Sequence, residues 1–470
     1  MTDVPVTPLR PAMNLPDPTA AARAARTHSL LHDPIGRTLA RLAAPNVLAM
    51  FVTSVTSIAE AFFAGLMGVN ALAGLALVFP LVMLTQMLSA GAMGGAISAA
   101  VARSLGGGDT SRASGLTVAA WIIGIGFAAG SAVLMALFGR TIFVALGGGD
   151  TAVAAALSYA GVFFPGCLAL WLCNGTLSVI RGTGNMGTPS VLLFVASLGS
   201  IPLSGALALG WGPFPALGMA GLALGLITAN GAAGLVAIAL VVTGRAGLSM
   251  GGALGRLRGE MFRDILRVGI IASVNSVQSV LTIVLMVALV GRFGTAALAG
   301  YGLGARLEFL MIPVVFGIGT AMTAMVGANI GAGNTPRALR VAWTGACAAA
   351  VIVGGIGAVL AVFPDLWLRI FLDASDTATL EVGRAYFRTV APFYAFFGLG
   401  LALFFASQGA ARMAWPVIAS LFRMAVAFGV ALVLIGRTDM GVEAVFVGVA
   451  CGTVVYGVVT AAAVRITRWR

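Results

Sequence analysis

Lysine is absent from the 470 residues, and all 27 basic side chains are arginine. A Walker loop needs its Lys on the phosphates and Schiff-base catalysis needs a side-chain amine, so both are excluded. Histidine is nearly as scarce: His28 and His32 both precede the first long apolar run, which leaves no imidazole to relay protons within the apolar segments. The four cysteines, Cys167, Cys173, Cys347 and Cys451, lie in apolar runs without C-x-x-C spacing. That excludes a zinc or thiol-redox centre and makes them small buried apolar side chains. Charged residues amount to 9%, far below what the surface of a soluble fold uses. Without a nucleotide motif or a soluble domain, any uphill work has to draw on an ion gradient.

What is present is apolar. Hydrophobic residues make up 60% of the chain, with a mean hydropathy of +1.04, the composition of an all-α polytopic membrane protein. Windows of about 20 residues, punctuated by Gly, Pro and charge, give twelve transmembrane helices. They are centred on 40–68, 71–104, 113–146, 152–182, 188–210, 216–243, 264–291, 296–328, 338–364, 378–410, 415–436 and 442–464. Residues 1–37 form a tail expected to be disordered, 38–243 and 264–464 two six-helix lobes, 244–263 a charged linker and 465–470 a basic C-terminal tail. Nineteen arginines fall in the segments on the side of the termini and six in the segments opposite. By the positive-inside rule both termini are cytoplasmic. The net charge of +12 follows the loops of one side and gathers on no soluble face, so no nucleic-acid partner is expected.

The two halves repeat. Gly68-Val-Asn-Ala-Leu-Ala-Gly74 returns as Gly294-Thr-Ala-Ala-Leu-Ala-Gly300, an offset of 226. Leu105-Gly-Gly-Gly-Asp-Thr110 returns as Ile330-Gly-Ala-Gly-Asn-Thr335, an offset of 225, and Pro165/Pro392 and Pro189/Pro416 match at 227. Because each half has an even number of spans, the lobes are related by an axis along the membrane normal, with a cleft between them as the expected substrate path.

One carboxylate interrupts the first span. Between Leu42 and Gly68 the only charged residue is Glu60, and an acid at that depth costs a few kcal/mol if ionised. It is the first candidate for coupling, able to take a proton on one side and surrender it on the other. Sodium needs several hard oxygen ligands, and Glu60 with Thr53, Thr56 or Ser57 offers few. Protons are therefore the expected coupling ion, with sodium the alternative, and no cofactor or metal is expected.

Glu60-Ala-Phe-Phe-Ala-Gly65, Arg181-Gly-Thr-Gly-Asn-Met-Gly-Thr-Pro189, Arg306-Leu-Glu308 and Val326-Gly-Ala-Asn-Ile-Gly-Ala-Gly-Asn334 occur in that order. In this the chain resembles the multidrug and toxic compound extrusion (MATE) family, in the branch with the DNA-damage-inducible bacterial members. The resemblance runs from about residue 38 to 464. It implies a secondary antiporter of the inner membrane that exports amphipathic, often cationic compounds against protons or sodium. The family's span-1 position is usually Asp, which Glu60 matches. Span 5 reads Ser200-Ile-Pro-Leu-Ser204, span 7 offers Asn275 and Gln278, and span 10 has no acid, so the polar ion site of many relatives is only partly represented.

Glu308 and Arg306 form a possible second ionisable site. Two residues apart on a helix they point about 200° away from each other, so each needs another partner. Gln86, Asn174, Asn230, Asn275 and Gln278 could line the cavity or hydrogen-bond between helices. Tyr301, Phe393 and Tyr394 are candidates for the face of a cationic substrate. The 19 Met and 26 Phe residues provide adaptable apolar surface. A lipid-linked oligosaccharide flippase of the same superfamily is the alternative, but it tends to have fourteen spans and an Arg-lined cavity. A major-facilitator antiporter lacks its 2–3 loop signature here. An intramembrane enzyme would need a base, nucleophile or metal beside Glu60, and none is in the sequence. The expected partners are small-molecule substrates and lipids, with the protein a monomer.

Overall fold

A computed structural model of the chain describes residues 18–373, 375–467 and 469. Among the described residues, twelve helices are long and apolar enough to cross a membrane. Spans 1–6 are Ile35–Leu66, Val69–Gly106, Thr110–Ala145, Asp150–Gly182, Gly187–Leu209 and Met219–Val242; spans 7–12 are Gly259–Gly291, Thr295–Gly331, Thr335–Val362, Thr377–Gly409, Ala414–Arg437 and Glu443–Ile466. Large apolar side chains such as Leu137, Leu235 and Val351 are turned outward, while serines, threonines and asparagines are buried between helices. That inversion suits lipid, where each helix satisfies its own backbone.

Spans 1–6 and 7–12 pack as two lobes, and their local details repeat. Gly68 and Gly294 both take positive φ, 109° and 98°, before spans 2 and 8, a conformation that only glycine adopts readily. Asp109 and Asn334 each cap the helix that follows, their side chains accepting from the backbone N–H of Arg112 and Arg337. The cap follows its glycine by 109 − 68 = 41 positions in the first half and by 334 − 294 = 40 in the second. The difference lies within one helix: span 2 carries a π-helical turn at Met87–Met93, whereas span 8 is α-helical from Thr295 to Gly331. A π turn accommodates one extra residue.

The lobes meet at the end that carries both termini. Span 1 packs on span 8, span 2 on spans 7 and 8, and span 10 on span 2. Small residues allow this closeness: a Cβ on Gly106 would fall on the Ala328 carbonyl, and one on Gly331 on the Arg103 carbonyl. Arg103 Nη1 donates to Gly409 O at 3.0 Å across the same seam.

Part of the tail expected to be disordered is helical. Pro18–His32 is a helix, rich in alanine, arginine and leucine, all good helix formers, and it is tied to the second lobe and to the linker. Its Leu30 carbonyl accepts from Asn329 at 3.1 Å, the Asp33 carbonyl beyond it accepts from Arg337 at 2.5 Å, and Arg23 donates to Gly247 O at 2.7 Å. Residues 1–17, and Arg468 and Arg470 of the basic C-terminal tail, lie outside the described residues. Within the 244–263 linker a 3-10 turn forms at Leu254–Arg256, and span 7 already begins at Gly259. Cys347 is exposed, contrary to the expectation of four buried thiols; it lies on the outer face of span 9, where burial is not required of an apolar side chain in lipid.

Candidate functional site

Asn46, Thr53 and Glu60 recur at seven-residue spacing and so share one face of span 1. Thr56, three residues from Thr53, joins the same face. Span 5 answers with serines: Ser190 Oγ donates to Asn46 Oδ1 at 2.9 Å, Ser197 Oγ lies 3.2 Å from Thr53 Oγ1, and Thr56 Oγ1 donates to the Ser197 carbonyl at 3.3 Å. The result is a polar seam between two apolar helices. At its terminus-proximal end Asn46 Nδ2 also donates to Thr320 Oγ1 of span 8 at 3.0 Å, so the seam reaches the second lobe. Pro45 beside it removes one helical N–H from span 1, which weakens the helix there.

Glu60 stands at the other end of the seam, 8% exposed. Its Oε1 has no hydrogen-bond partner among the described residues, and neither has the hydroxyl of Tyr159 on span 4, which lies within electrostatic reach of the carboxyl. Tyr159 is held by Phe163, ring centroids 5.9 Å apart and stacked. A buried acid without a fixed donor keeps its lone pairs available to a proton or a cation.

In the second lobe Glu308 is differently placed. Tyr386 donates to Glu308 Oε1 at 2.5 Å, Tyr301 packs edge-on to Tyr386 at 5.7 Å, and Tyr394 and Arg423 complete the surroundings. The Arg423 guanidinium sits between the rings of Phe397 and Tyr456, at 5.4 and 5.6 Å. Arg306 points outward over Phe371 at 5.8 Å, away from Glu308 as the helical spacing requires, so the two do not form one site.

The remaining candidates divide. Asn174 donates to Ser89 at 2.9 Å, and Ser89 to the Gln86 carbonyl at 3.3 Å, which gathers all three around the π turn. Asn230 and Gln278 bond within their own helices, to Leu226 O and Thr282 Oγ1, and Asn275 receives the Ser279 hydroxyl on its carbonyl. Ser57, four residues from Thr53 and three from Glu60, lies on the same side of span 1 and is exposed. Phe393 is 37% exposed in a 3-10 turn at the break of span 10. Asn46 and the span-5 serines were missed by the sequence reading; the heptad of polar residues in span 1 was the available signal.

A cavity of about 800 Å³ opens at the end of the second lobe away from the termini, and neither Glu60 nor Glu308 lines it. Asp365, Glu381 and Glu443 line it with Arg369, Arg384 and Arg388. Arg384 grips Asp365 through two bonds of 2.7 and 2.6 Å, and the first effect of that grip is to hold the Asp365 carboxyl below its usual range, burial opposing it.

Comparison with known proteins agrees with this architecture. The profile of the family described as MatE matches residues 45–205 and 271–433, one match in each lobe. Among curated relatives, an FAD transporter of Shewanella oneidensis is 24% identical over 312 residues, covering 66% of this chain and 69% of its own. The probable multidrug resistance protein NorM of Deinococcus radiodurans is 26% identical over 441 residues, covering 90% and 93%. Among solved structures, a MOP superfamily transporter from Pyrococcus furiosus superposes with a TM-score of 0.85 at 22% identity, over 93% of this chain and 98% of that one. A multidrug resistance MATE family transporter in an outward-facing conformation superposes with a TM-score of 0.83 at 21% identity, covering 93% and 97%. The chain is a multi-pass membrane transporter of the MATE family.

Proposed function

We propose that the protein is a proton-coupled antiporter that exports amphipathic, cationic compounds from the cytoplasm, with Glu60 as the coupling carboxyl. The observation that carries this reading is the buried Glu60 Oε1 without a partner, at the end of a polar seam that links span 1 to the second lobe. Both termini are placed in the cytoplasm by the arginine count, and the membrane is the cell's inner membrane. In the proposed cycle an ionised Glu60 holds the cationic substrate. A proton arriving from outside neutralises the carboxyl, span 1 repacks along its weakened segment at Pro45, and the substrate leaves outward. Release of the proton to the cytoplasm resets the lobes. Because proton and cation compete for one carboxylate, the fluxes are coupled. Sodium remains the alternative ion, and Thr53 and Thr56 are the oxygens it would add.

The test is efflux in everted vesicles containing wild type or Glu60→Gln, driven by a pH gradient and separately by a sodium gradient, with an organic cation and FAD as substrates. Cation efflux driven by pH alone and lost in Glu60→Gln supports the reading. Normal export by Glu60→Gln sinks it, and drive by sodium alone reassigns the ion.

A further inference from the structure

We infer that Arg181 and the Ser98 hydroxyl form a binding site for a single small anion of chloride type at the contact between the lobes, against span 8 at Thr320 and Thr323.

Arg181 ends span 4, where the sequence suggested a loop charge of the terminus-proximal side. It is 2% exposed. Its Nε has no acceptor, and no carboxylate among the described residues lies within ion-pair distance of it. A guanidinium taken out of water and left unpaired is among the most unfavourable arrangements a protein can hold. Ser98 on span 2, 4% exposed, likewise has a hydroxyl without a partner. Both groups face one small cavity, lined also by Gly94, Ser178, Thr320 and Thr323.

The symmetry of the lobes explains why this donor is left over. Gln408 ends span 10 at the position equivalent to Arg181, 408 − 181 = 227 residues on. Its amide crosses to the first lobe and donates to the carbonyls of Gly91 and Ala92, at 3.2 and 2.9 Å. Those carbonyls belong to the π turn of span 2, whose wider hydrogen-bonding pattern leaves acceptors accessible. Arg181 faces span 8 in the mirrored relation, but there, at Thr320 and Thr323 and a full turn beyond Pro313, span 8 is regular α-helix with its carbonyls engaged along the axis. The repeat therefore supplies two donors and only one set of acceptors.

Size and chemistry define the guest. At the radius of water the cavity has about 10 Å³ of room, the space of one water-sized particle. A phosphate or a carboxylate-bearing metabolite is too large, whereas a monatomic anion fits and would accept from the Arg181 guanidinium and the Ser98 hydroxyl together; the hydroxyls of Ser178, Thr320 and Thr323 already donate to backbone carbonyls. Spans 2 and 4 of one lobe and span 8 of the other contribute the lining, so the anion binds only while the lobes touch at this end. Chloride thereby favours this closed arrangement over any in which the contact opens. The inference stands on the fold and is independent of coupling at Glu60.

The test uses the full-length protein in detergent, its thermal unfolding followed against chloride, bromide, gluconate and sulfate at constant ionic strength. Chloride and bromide are expected to raise the midpoint saturably by a few degrees, gluconate and sulfate not. Ser98→Ala, which keeps the arginine, should raise the half-saturating chloride concentration by about 5-fold, the effect of one hydrogen bond. Crystals grown in bromide should show an anomalous peak within hydrogen-bonding distance of the Arg181 guanidinium. Equal stabilisation by all four anions, or no bromide at Arg181, overturns the assignment.

Discussion

Tyr159 and Tyr386 occupy equivalent places in the two lobes, 386 − 159 = 227 residues apart, yet only Tyr386 is hydrogen-bonded to its lobe's carboxyl. Tyr386 closes on Glu308 at 2.5 Å, whereas Tyr159 and Glu60 each keep an unpartnered oxygen. The first lobe holds its acid open and the second holds its acid fixed. Removing the hydroxyls should therefore have opposite consequences. Tyr386→Phe removes the hydrogen bond to a part-buried carboxyl and is expected to cost about 1 kcal/mol of stability, while Tyr159→Phe should stay within about 0.5 kcal/mol of the parent and alter efflux instead. Denaturant unfolding in detergent beside vesicle transport separates the two.

Asn46 binds three helices at once, through Ser190 on span 5, Thr320 on span 8 and its own span. Asn46→Ala leaves the Ser190 hydroxyl with only its backbone acceptor and removes the side-chain hydrogen bond from span 1 to Thr320 of the second lobe. The expected loss is about 1–3 kcal/mol. A matched Ser190→Ala tests the interpretation, since the pair should be less than additive if they share one network.

The crossing of Gly106 and Gly331 with opposing backbone is unforgiving, because the atoms a methyl would meet are carbonyls of Ala328 and Arg103 and cannot rotate away. Gly331→Ala is expected to cost about 1–3 kcal/mol and to raise thiol labelling of Ala102→Cys, a buried position at the lobe contact. Gly130→Ala, where a methyl meets open space, should change neither.

Asp365 provides a pH dependence outside the membrane-spanning segments. Its carboxyl is held below the usual range, first by the hydrogen bonds from Arg384, so its folded-state value lies beneath the unfolded one. The stabilisation is complete above the ordinary carboxylate range and is lost as pH falls through the depressed value. The pair is exposed to solvent, so the effect should shrink at high salt. Comparing acid unfolding of wild type and Asp365→Asn at low and high ionic strength tests it.

The twelve helices were legible because lipid imposes length and apolarity on each span, and the repeat because glycines and helix caps must return wherever the backbone does. Glu60 was legible as the lone charge of its span. Asn46 was not, since a small amide beside Pro45 reads as an interfacial residue until span 8 is seen to meet it. Arg181 was counted among loop arginines because a charge near a span's end ordinarily reaches water; only the packing of the lobes reveals that it does not. The helix at Pro18–His32 was hidden for a related reason: its sequence is short and polar, and its order comes from Asn329, Arg337 and Gly247, far along the chain.

The π turn of span 2 can also be read as history. Two halves that began as copies of one gene segment should keep the same count between matching landmarks, and here they differ by a single residue across one helix. One codon gained or lost in one copy, after duplication, accounts for the mismatch. At this helix the two halves are not interchangeable: one has spare acceptors on its inner face and the other does not. Descendants that carry the same one-residue discrepancy between these landmarks would share that ancestor, whatever has become of the side chains since.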